Sequence, residues 1–245
     1  MTTVLRDPSF DPVIEVDAAA IAHNVHEVAR LAGRPILAVV KNNGYGLGLT
    51  TVGPIIDSLD DVVGLAVVKP NQAIELRESG VRKPILLMGM FSENDGEELV
   101  QRGIRLAPYA DDVHMVLDRI AAKLNTTVPV HLYLDTGMNR VGVPFRRALP
   151  WIERVASLQS VDVEGTFMCF AEEDEFDPVQ LRRLLDIGEA ARERGLELGP
   201  LHAQIDVQIQ YLGCTNRQRG RPTNRRQIHD AVRNAPEVLV RVRAR

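Results

Sequence analysis

A lysine closes a short apolar run near the start of the chain, and a glycine-rich loop with one tyrosine follows it. The run and loop consist, in order, of Ala38-Val39-Val40-Lys41-Asn42-Asn43-Gly44-Tyr45-Gly46-Leu47-Gly48. Burying an amino group is costly unless the group has a chemical role. Desolvation lowers the pKa of a lysine and frees the amine as a nucleophile for a carbonyl. Lys41 is therefore a candidate for covalent attachment of a carbonyl compound.

The loop after Lys41 adds a second indication, because glycines let backbone N–H groups approach an anion closely. A lysine amine next to an anion-binding loop is typical of a site that holds pyridoxal phosphate as a Schiff base. A simpler structure also fits these residues, in which a strand ends in a lysine that reaches solvent before an ordinary turn. The residues alone leave both interpretations open.

Three segments of the chain resemble motifs of the alanine racemase family. They are residues 40–48 around Lys41, residues 135–142 with Arg140, and residues 165–171, which are followed by Asp174, Glu175 and Gln180. The segments occur in the order of the family and at roughly its spacing. The resemblance covers about residues 13 to 203 and is to the N-terminal, cofactor-binding domain of these racemases.

The resemblance implies an amino-acid racemase-like protein that depends on pyridoxal 5'-phosphate and acts on a small amino acid. It implies that Lys41 carries the cofactor as a Schiff base and serves as one catalytic base. Tyr45 is expected to donate a hydrogen bond to the cofactor phosphate. Arg140 is expected to donate to the phenolic oxygen of the cofactor and to the substrate carboxylate, for which its planar fork of donors is suited.

The same resemblance implies roles for two further positions and a departure from the family at a third. Cys169 stands where the family usually has a histidine beside the cofactor ring, although it also fits a buried cysteine that packs as a small apolar side chain. His202 matches the first residue of a family segment and is expected to contact the cofactor. Tyr133 stands two residues before Asp135, where the family often has a lysine, sometimes carbamylated, that orients the arginine.

Length and composition favour one large domain without a nucleic-acid or membrane partner. The chain has 245 residues, 45% of them hydrophobic but only 4% aromatic, and a formal net charge of −4, which gives no reason to expect nucleic acid. Cys169 and Cys214 form neither a metal-ligand spacing nor a disulfide framework. No segment resembles a secretion signal or an apolar run long enough to cross a membrane, so we expect a cytoplasmic protein.

Alternating strand and helix patterns predict a (β/α)8 TIM-type barrel, which is also the fold that the resemblance implies. Apolar runs predict strands at 36–41, 64–68, 84–90, 104–108, 128–135 and 161–170, with weaker signals at 198–203 and 237–242. Helical spacing predicts helices at 17–31, 71–79, 111–124, 146–158, 177–194 and 225–234. Lys41, Arg140 and Cys169 then follow the carboxyl ends of strands.

The resemblance and the charge pattern both change near residue 203. We interpret 1–203 as the racemase-like barrel domain and 204–245 as a diverged segment that would complete the barrel; that segment holds nine arginines, no lysine and three acidic residues. A shifted reading frame or true divergence explains such a tail equally well.

Beyond this segment we expect no C-terminal β-domain, which in the family supplies a second base to a partner subunit. A monomer or weak homodimer follows from that expectation. The alternative functions are a single-domain pyridoxal-phosphate-binding or homeostasis protein without racemase activity, and an inactive truncated relative.

Overall fold

A computed structural model describes residues 15–205 and 238–243 of the chain, where helices and strands alternate. The strands are β1 (Ile36–Val39), β2 (Val62–Val67), β3 (Ile85–Leu87), β4 (Ile104–Leu106), β5 (Val128–Asp135), β6 (Val143–Pro144), β7 (Val161–Cys169), β8 (Leu201–Ile205) and β9 (Val238–Arg243). The helices are α1 (Ala18–Ala32), α2 (Lys41–Tyr45), α3 (Leu49–Asp57), α4 (Pro70–Glu78), α5 (Glu93–Gln101), α6 (Val113–Leu124), α7 (Phe145–Ala156) and α8 (Asp177–Glu193).

Eight of the strands form a closed ring of parallel pairs. β1 pairs with β2 on one side and with β9 on the other, and the chain of pairings between them runs through β3, β4, β5, β7 and β8. The short strand β6 pairs with β5 outside the ring. The predicted TIM-type barrel is therefore confirmed, and β9, predicted at 237–242, closes it.

Two apolar layers follow from the alternation of side chains along each strand, because successive residues point to opposite faces. In β1, Ile36 and Ala38 belong to the larger core between the strands and the surrounding helices, whereas Leu37 and Val39 belong to a second cluster. We call this second cluster, which fills the barrel, the interior cluster; its buried members are Leu37, Val39, Ala66, Leu86, Met88, Ala107, Tyr133, Phe167 and Cys169.

The predicted helices are present with small shifts at their ends, and the helix predicted at 225–234 lies outside the described residues. Asp17 caps α1, since its Oδ1 accepts hydrogen bonds from the N–H groups of Ala19 and Ala20. Sequence patterns missed α2, α3, α5 and β6. The signal of α3 was weakened by Gly53 and Pro54, both of which lie inside the helix.

Among residues 15–205, no helix combines the length and the apolar character that a membrane span requires.

Strand β2 offers a matched pair of substitutions that tests the packing of the larger core. Leu65 is fully buried, whereas Val63 on the same strand is 40% exposed. Leu65→Ala should lower the free energy of unfolding by about 2–5 kcal/mol, because it removes buried methyl groups and leaves a cavity. Val63→Ala should lower it by less than about 1 kcal/mol. Urea unfolding followed by circular dichroism measures both, and equal losses would contradict the assignment of the two faces.

Candidate functional site

Lys41 begins a left-handed turn directly after β1, at the carboxyl end of the barrel, here called the barrel mouth. Asn42, Asn43, Gly44 and Tyr45 have φ values of 53°, 56°, 61° and 57°. Glycine and asparagine adopt this region most readily, which explains the composition of the turn. A tyrosine there is held at a cost of order 1–3 kcal/mol, so the surroundings must fix it. The turn places the half-buried Tyr45 side chain against the interior cluster.

The glycine N–H groups of this turn donate to nearby backbone oxygens. Gly44 N donates to Val40 O at 3.1 Å, Gly46 N donates to Asn43 O at 3.0 Å, and Gly48 N donates to the same oxygen at 3.0 Å. The prediction that these glycines leave amides for an anion is therefore wrong. The turn instead serves to place two side chains, those of Lys41 and Tyr45.

Gln72 of α4 holds the turn from outside the barrel. With its amide oriented so that the oxygen faces the turn, Gln72 accepts hydrogen bonds from Asn42 N at 3.3 Å and Asn43 N at 3.1 Å. Its side chain is 8% exposed. Sequence reasoning missed Gln72, although a polar residue on the buried side of a predicted helix is a usable signal. Gln72 thereby fixes the backbone that follows Lys41.

The loop after β5 is shaped by the aspartate and glycines of the second motif. Asp135 Oδ1 accepts from Gly137 N at 2.9 Å and from Asn139 N at 3.1 Å, which closes the loop upon itself. A Cβ at Gly142 would lie 2.8 Å from Asp135 N and 3.1 Å from Tyr133 Cδ2. Only glycine permits this close approach, and the loop therefore lies directly on the Tyr133 ring.

Arg140, Tyr133 and Cys169 form a connected group at the mouth. The Tyr133 hydroxyl and Cys169 Sγ lie 3.0 Å apart, and both residues are buried. Burial raises the pKa of Tyr133 above its usual value, and Cys169 raises it further, so the phenol is protonated at neutral pH. Burial lowers the pKa of Arg140, but interactions with Tyr133 and Cys169 raise it by more. The guanidinium is therefore charged.

Gln180 of α8 ties the ends of β5 and β7 together. Its side chain is fully buried; Oε1 accepts from Ala171 N at 2.8 Å, while Nε2 donates to Cys169 O at 3.2 Å and to Thr136 Oγ1 at 3.3 Å. One amide thus satisfies groups in both loops. Gln180 belongs to the third motif, and the structure gives it a positioning role.

Arg183, one helical turn beyond Gln180, is a residue that sequence reasoning missed. Its Nη1 donates to Thr136 O at 2.7 Å, and its guanidinium lies 4.1 Å from the Phe145 ring centroid and 5.4 Å from that of Phe176. The contacts anchor the loop that carries Arg140 to α8. No local pattern identifies such a residue, because its partners come from three separate segments.

His202 lies deeper in the barrel than the other candidate residues. It is 1% exposed, pairs in register with Phe167, and stacks on that ring with centroids 5.1 Å apart. Nε2 of His202 lies 2.8 Å from Nδ1 of His131. Sequence reasoning did not identify His131 as a partner of His202. Phe167 precedes Cys169 by two residues on β7, so His202 lies one side-chain layer below Cys169.

A surface cavity of about 470 Å³ lies at the opposite end of the barrel, near the amino ends of β4 and β5. Its lining includes Gly103, Arg105 and Pro129 but none of the candidate residues. Across residues 15–205 and 238–243, no three His, Cys, Asp or Glu side chains are grouped so as to hold a metal ion. The chemistry-bearing side chains of the described part thus gather at the mouth.

A comparison with family models identifies residues 16–205 as "Alanine racemase, N-terminal domain". The chain belongs to the alanine racemase family. An alanine racemase of Methanococcus maripaludis is 31% identical over 203 residues, and that of Syntrophobacter fumaroxidans is 35% identical over 191 residues. These matches cover 80% and 76% of this chain but 54% and 51% of the relatives. The chain therefore spans about half the length of the curated relatives it matches.

Solved structures of alanine racemases share the fold. An alanine racemase of Clostridium difficile 630 in complex with cycloserine has a TM-score of 0.75 at 22% identity, covering 93% of this chain and 58% of that one. The enzyme from Corynebacterium glutamicum has a TM-score of 0.73 at 24% identity, covering 93% and 59%. At these identities the likeness establishes the architecture of the chain.

Alanine racemases depend on pyridoxal phosphate, and the donor set at the mouth of this family member fits that group. An aldehyde requires an amine, a phosphate requires neutral or cationic donors, and a phenolic oxygen requires a cationic donor. Lys41, Tyr45 and Arg140 supply these three types of group. The segment between β8 and β9 lies outside the described residues. The candidate cofactor-binding groups in the described part are therefore those that follow β1 and β5 and that end β7.

The buried carboxylate of Asp177 holds the loop that follows β7, and its role there can be tested through the pH dependence of stability. Its Oδ1 accepts from Glu172 N at 3.1 Å and Glu173 N at 3.2 Å, yet burial raises its pKa above the usual aspartate value of 3.8. The folded state therefore binds a proton more tightly than the unfolded state, and stability falls as pH rises from 3.8 through the raised pKa. Asp177→Asn keeps an acceptor oxygen and cannot ionise.

The free energy of unfolding of Asp177→Asn minus that of the parent should thus increase across this pH window and level off above it. Urea unfolding at a series of pH values measures the difference. Asp162→Asn, at an exposed aspartate of β7, is the control. A difference for Asp177→Asn that stays constant or falls with rising pH would contradict the assignment.

Proposed function

We propose that this chain binds pyridoxal 5'-phosphate at the barrel mouth and, on a small amino acid, supports the proton chemistry of an amino-acid racemase. The position of Lys41 carries the proposal: it follows β1 directly at the carboxyl end of the barrel, where catalytic groups of this fold occur. Membership of the family supports this reading. The resemblance adds the expectation of a cytoplasmic enzyme.

Each candidate side chain has a distinct task in this proposal. When bound, pyridoxal phosphate draws electrons from the amino acid attached to it and so weakens the Cα–H bond. Before the amino acid binds, Lys41 would hold the aldehyde carbon of the cofactor. Once the amino acid has taken its place, the free amine of Lys41 would remove and return the proton at Cα. Tyr45 donates to the phosphate, and Arg140 donates to the substrate carboxylate and to the phenolic oxygen. Cys169 packs beside the ring.

His202 takes a supporting place in this arrangement. Because His202 lies below Cys169 and is hydrogen-bonded to His131, we assign it to the floor of the cofactor site, where it supports the Phe167 ring. In this role His202 would affect cofactor binding indirectly, by supporting the side chains of the interior cluster.

Racemisation further requires a proton donor on the face of the substrate opposite Lys41, since one base removes the proton and another returns it. The resemblance implies a tyrosine from a C-terminal domain of a partner subunit for that task. Lys41 alone, removing and returning a proton on one face, gives exchange with solvent and retention of configuration. Proton exchange therefore tests the part of the reaction that the described residues perform.

The visible absorption of the purified chain with added pyridoxal phosphate tests the proposal first. The parent should develop the band of lysine-linked cofactor, and Lys41→Ala should lack it, because no other amine replaces the one at the end of β1. Lys69→Ala, at an exposed lysine, should keep the band and is the control. A folded parent without the band would contradict the proposal.

Proton exchange in deuterium oxide then separates a racemase-like chain from a cofactor carrier. With L-alanine and D-alanine assayed separately, the Cα–H signal of the enantiomer whose Cα–H bond faces Lys41 should decay in the parent, and the rate should fall at least about a hundredfold in Lys41→Ala. Proton NMR follows the signal. A parent that shows the band but no exchange would contradict the racemase-like function and favour the pyridoxal-phosphate-binding protein.

A further inference from the structure

Gln72 is a buried polar side chain of α4 that reaches the turn after Lys41. With its amide oxygen facing the turn, it accepts from Asn42 N at 3.3 Å and from Asn43 N at 3.1 Å. Asn42 N belongs to the peptide bond that joins Lys41 to the turn. The two hydrogen bonds therefore act on the backbone directly next to the candidate lysine.

The helix that carries Gln72 offers a fixed point for this contact. Ala73, the next residue of α4, is fully buried in the larger core. On the other side of Lys41, Val40 N donates to Ala66 O of β2 at 2.9 Å. Lys41 is thus held by a strand through the residue before it and by a helix through the residues after it.

The conformation of the turn requires this support. Residues 42–45 all have positive φ values, between 53° and 61°. Side chains are uncommon in this region, and a residue held there costs of order 1–3 kcal/mol. Asn43 Oδ1 accepts from Leu49 N at 2.8 Å, which fastens the far side of the turn to α3. Without Gln72, the two N–H groups near Lys41 would lose their acceptor, and another path of the chain would be favoured.

The path of the turn sets the spacing between Lys41 and Tyr45. These two residues are the first and the last of α2, and Tyr45 packs on the interior cluster. In the proposed function the amine of Lys41 takes the aldehyde of the cofactor and the hydroxyl of Tyr45 takes its phosphate. A different path between them would therefore move one group relative to the other.

We propose that Gln72 is a positioning residue, which keeps the Lys41 amine and the Tyr45 hydroxyl at the spacing that the two ends of one cofactor molecule require. The tasks of these two groups rest on the proposed function. The hydrogen bonds of Gln72 to the turn do not, because they form in the cofactor-free chain. The two parts of the proposal can therefore be tested separately.

The first measurement uses the cofactor-free protein and follows hydrogen exchange of the Asn42 and Asn43 amides by NMR. Gln72→Met removes the acceptor but keeps the length of the side chain, so both amides should exchange at least about tenfold faster than in the parent. Gln72→Glu keeps an acceptor oxygen and should restore the rates of the parent to within about threefold. Equal rates in the parent and Gln72→Met would overturn the positioning role, whether or not the cofactor binds.

Folding of each variant is checked by circular dichroism. Should Gln72→Met fail to fold, the parent alone still decides, through the scalar coupling that a hydrogen bond transmits between the amide nitrogen of Asn43 and the side-chain carbonyl carbon of Gln72. A detectable coupling supports the proposal, and its absence overturns it.

The second measurement compares pyridoxal phosphate with pyridoxal, which has the same aldehyde but no phosphate. Each compound is titrated while the band of lysine-linked cofactor is followed. In Gln72→Met the ratio of the two affinities should fall at least about fivefold, because Lys41 and Tyr45 no longer engage both ends together. A merely destabilised barrel would weaken both affinities alike and leave their ratio unchanged.

Gln101→Met, the same substitution at an exposed glutamine of α5, is the control and should keep the ratio of the parent. An unchanged ratio in Gln72→Met would overturn the spacing role. A parent that forms no band with either compound would overturn the proposed function and with it the spacing role, while the exchange measurement still decides whether Gln72 holds the turn.

Discussion

Closure of the parallel ring is the constraint on which the site depends. β1 pairs with both β2 and β9, so every strand of the ring runs in the same direction and all carboxyl ends meet at one mouth. Lys41, Arg140 and Cys169 lie far apart in the sequence and come to the same end of the barrel only because of this geometry. Each follows or ends a different strand, and none of the three is positioned by a loop alone.

Neutral polar side chains hold the backbone of the mouth in place. Gln72 fixes the turn that follows Lys41, and Gln180 joins the ends of β5 and β7. An amide supplies donor and acceptor without a charge, so it satisfies buried backbone groups at no cost of burying an ion.

The sequence reveals the strands and the motifs more readily than the contacts between them. Apolar runs are local, and the run at 36–41 therefore predicts β1, and that at 128–135 predicts β5. The partners of Gln72 and Arg183 come from distant segments, which no local period encodes. The glycines after Lys41 have a conformational role that composition does not distinguish from anion binding. The bond between His131 and His202 likewise appears only when β5, β7 and β8 assemble.

The most direct test of this account is reductive trapping with sodium borohydride after loading with pyridoxal phosphate, followed by peptide mass spectrometry. The chain has four lysines, at positions 41, 69, 83 and 123, so the site of attachment is unambiguous. The account predicts stoichiometric labelling of Lys41 alone. Labelling shared with Lys69, Lys83 or Lys123, or a folded chain with no label, would contradict it.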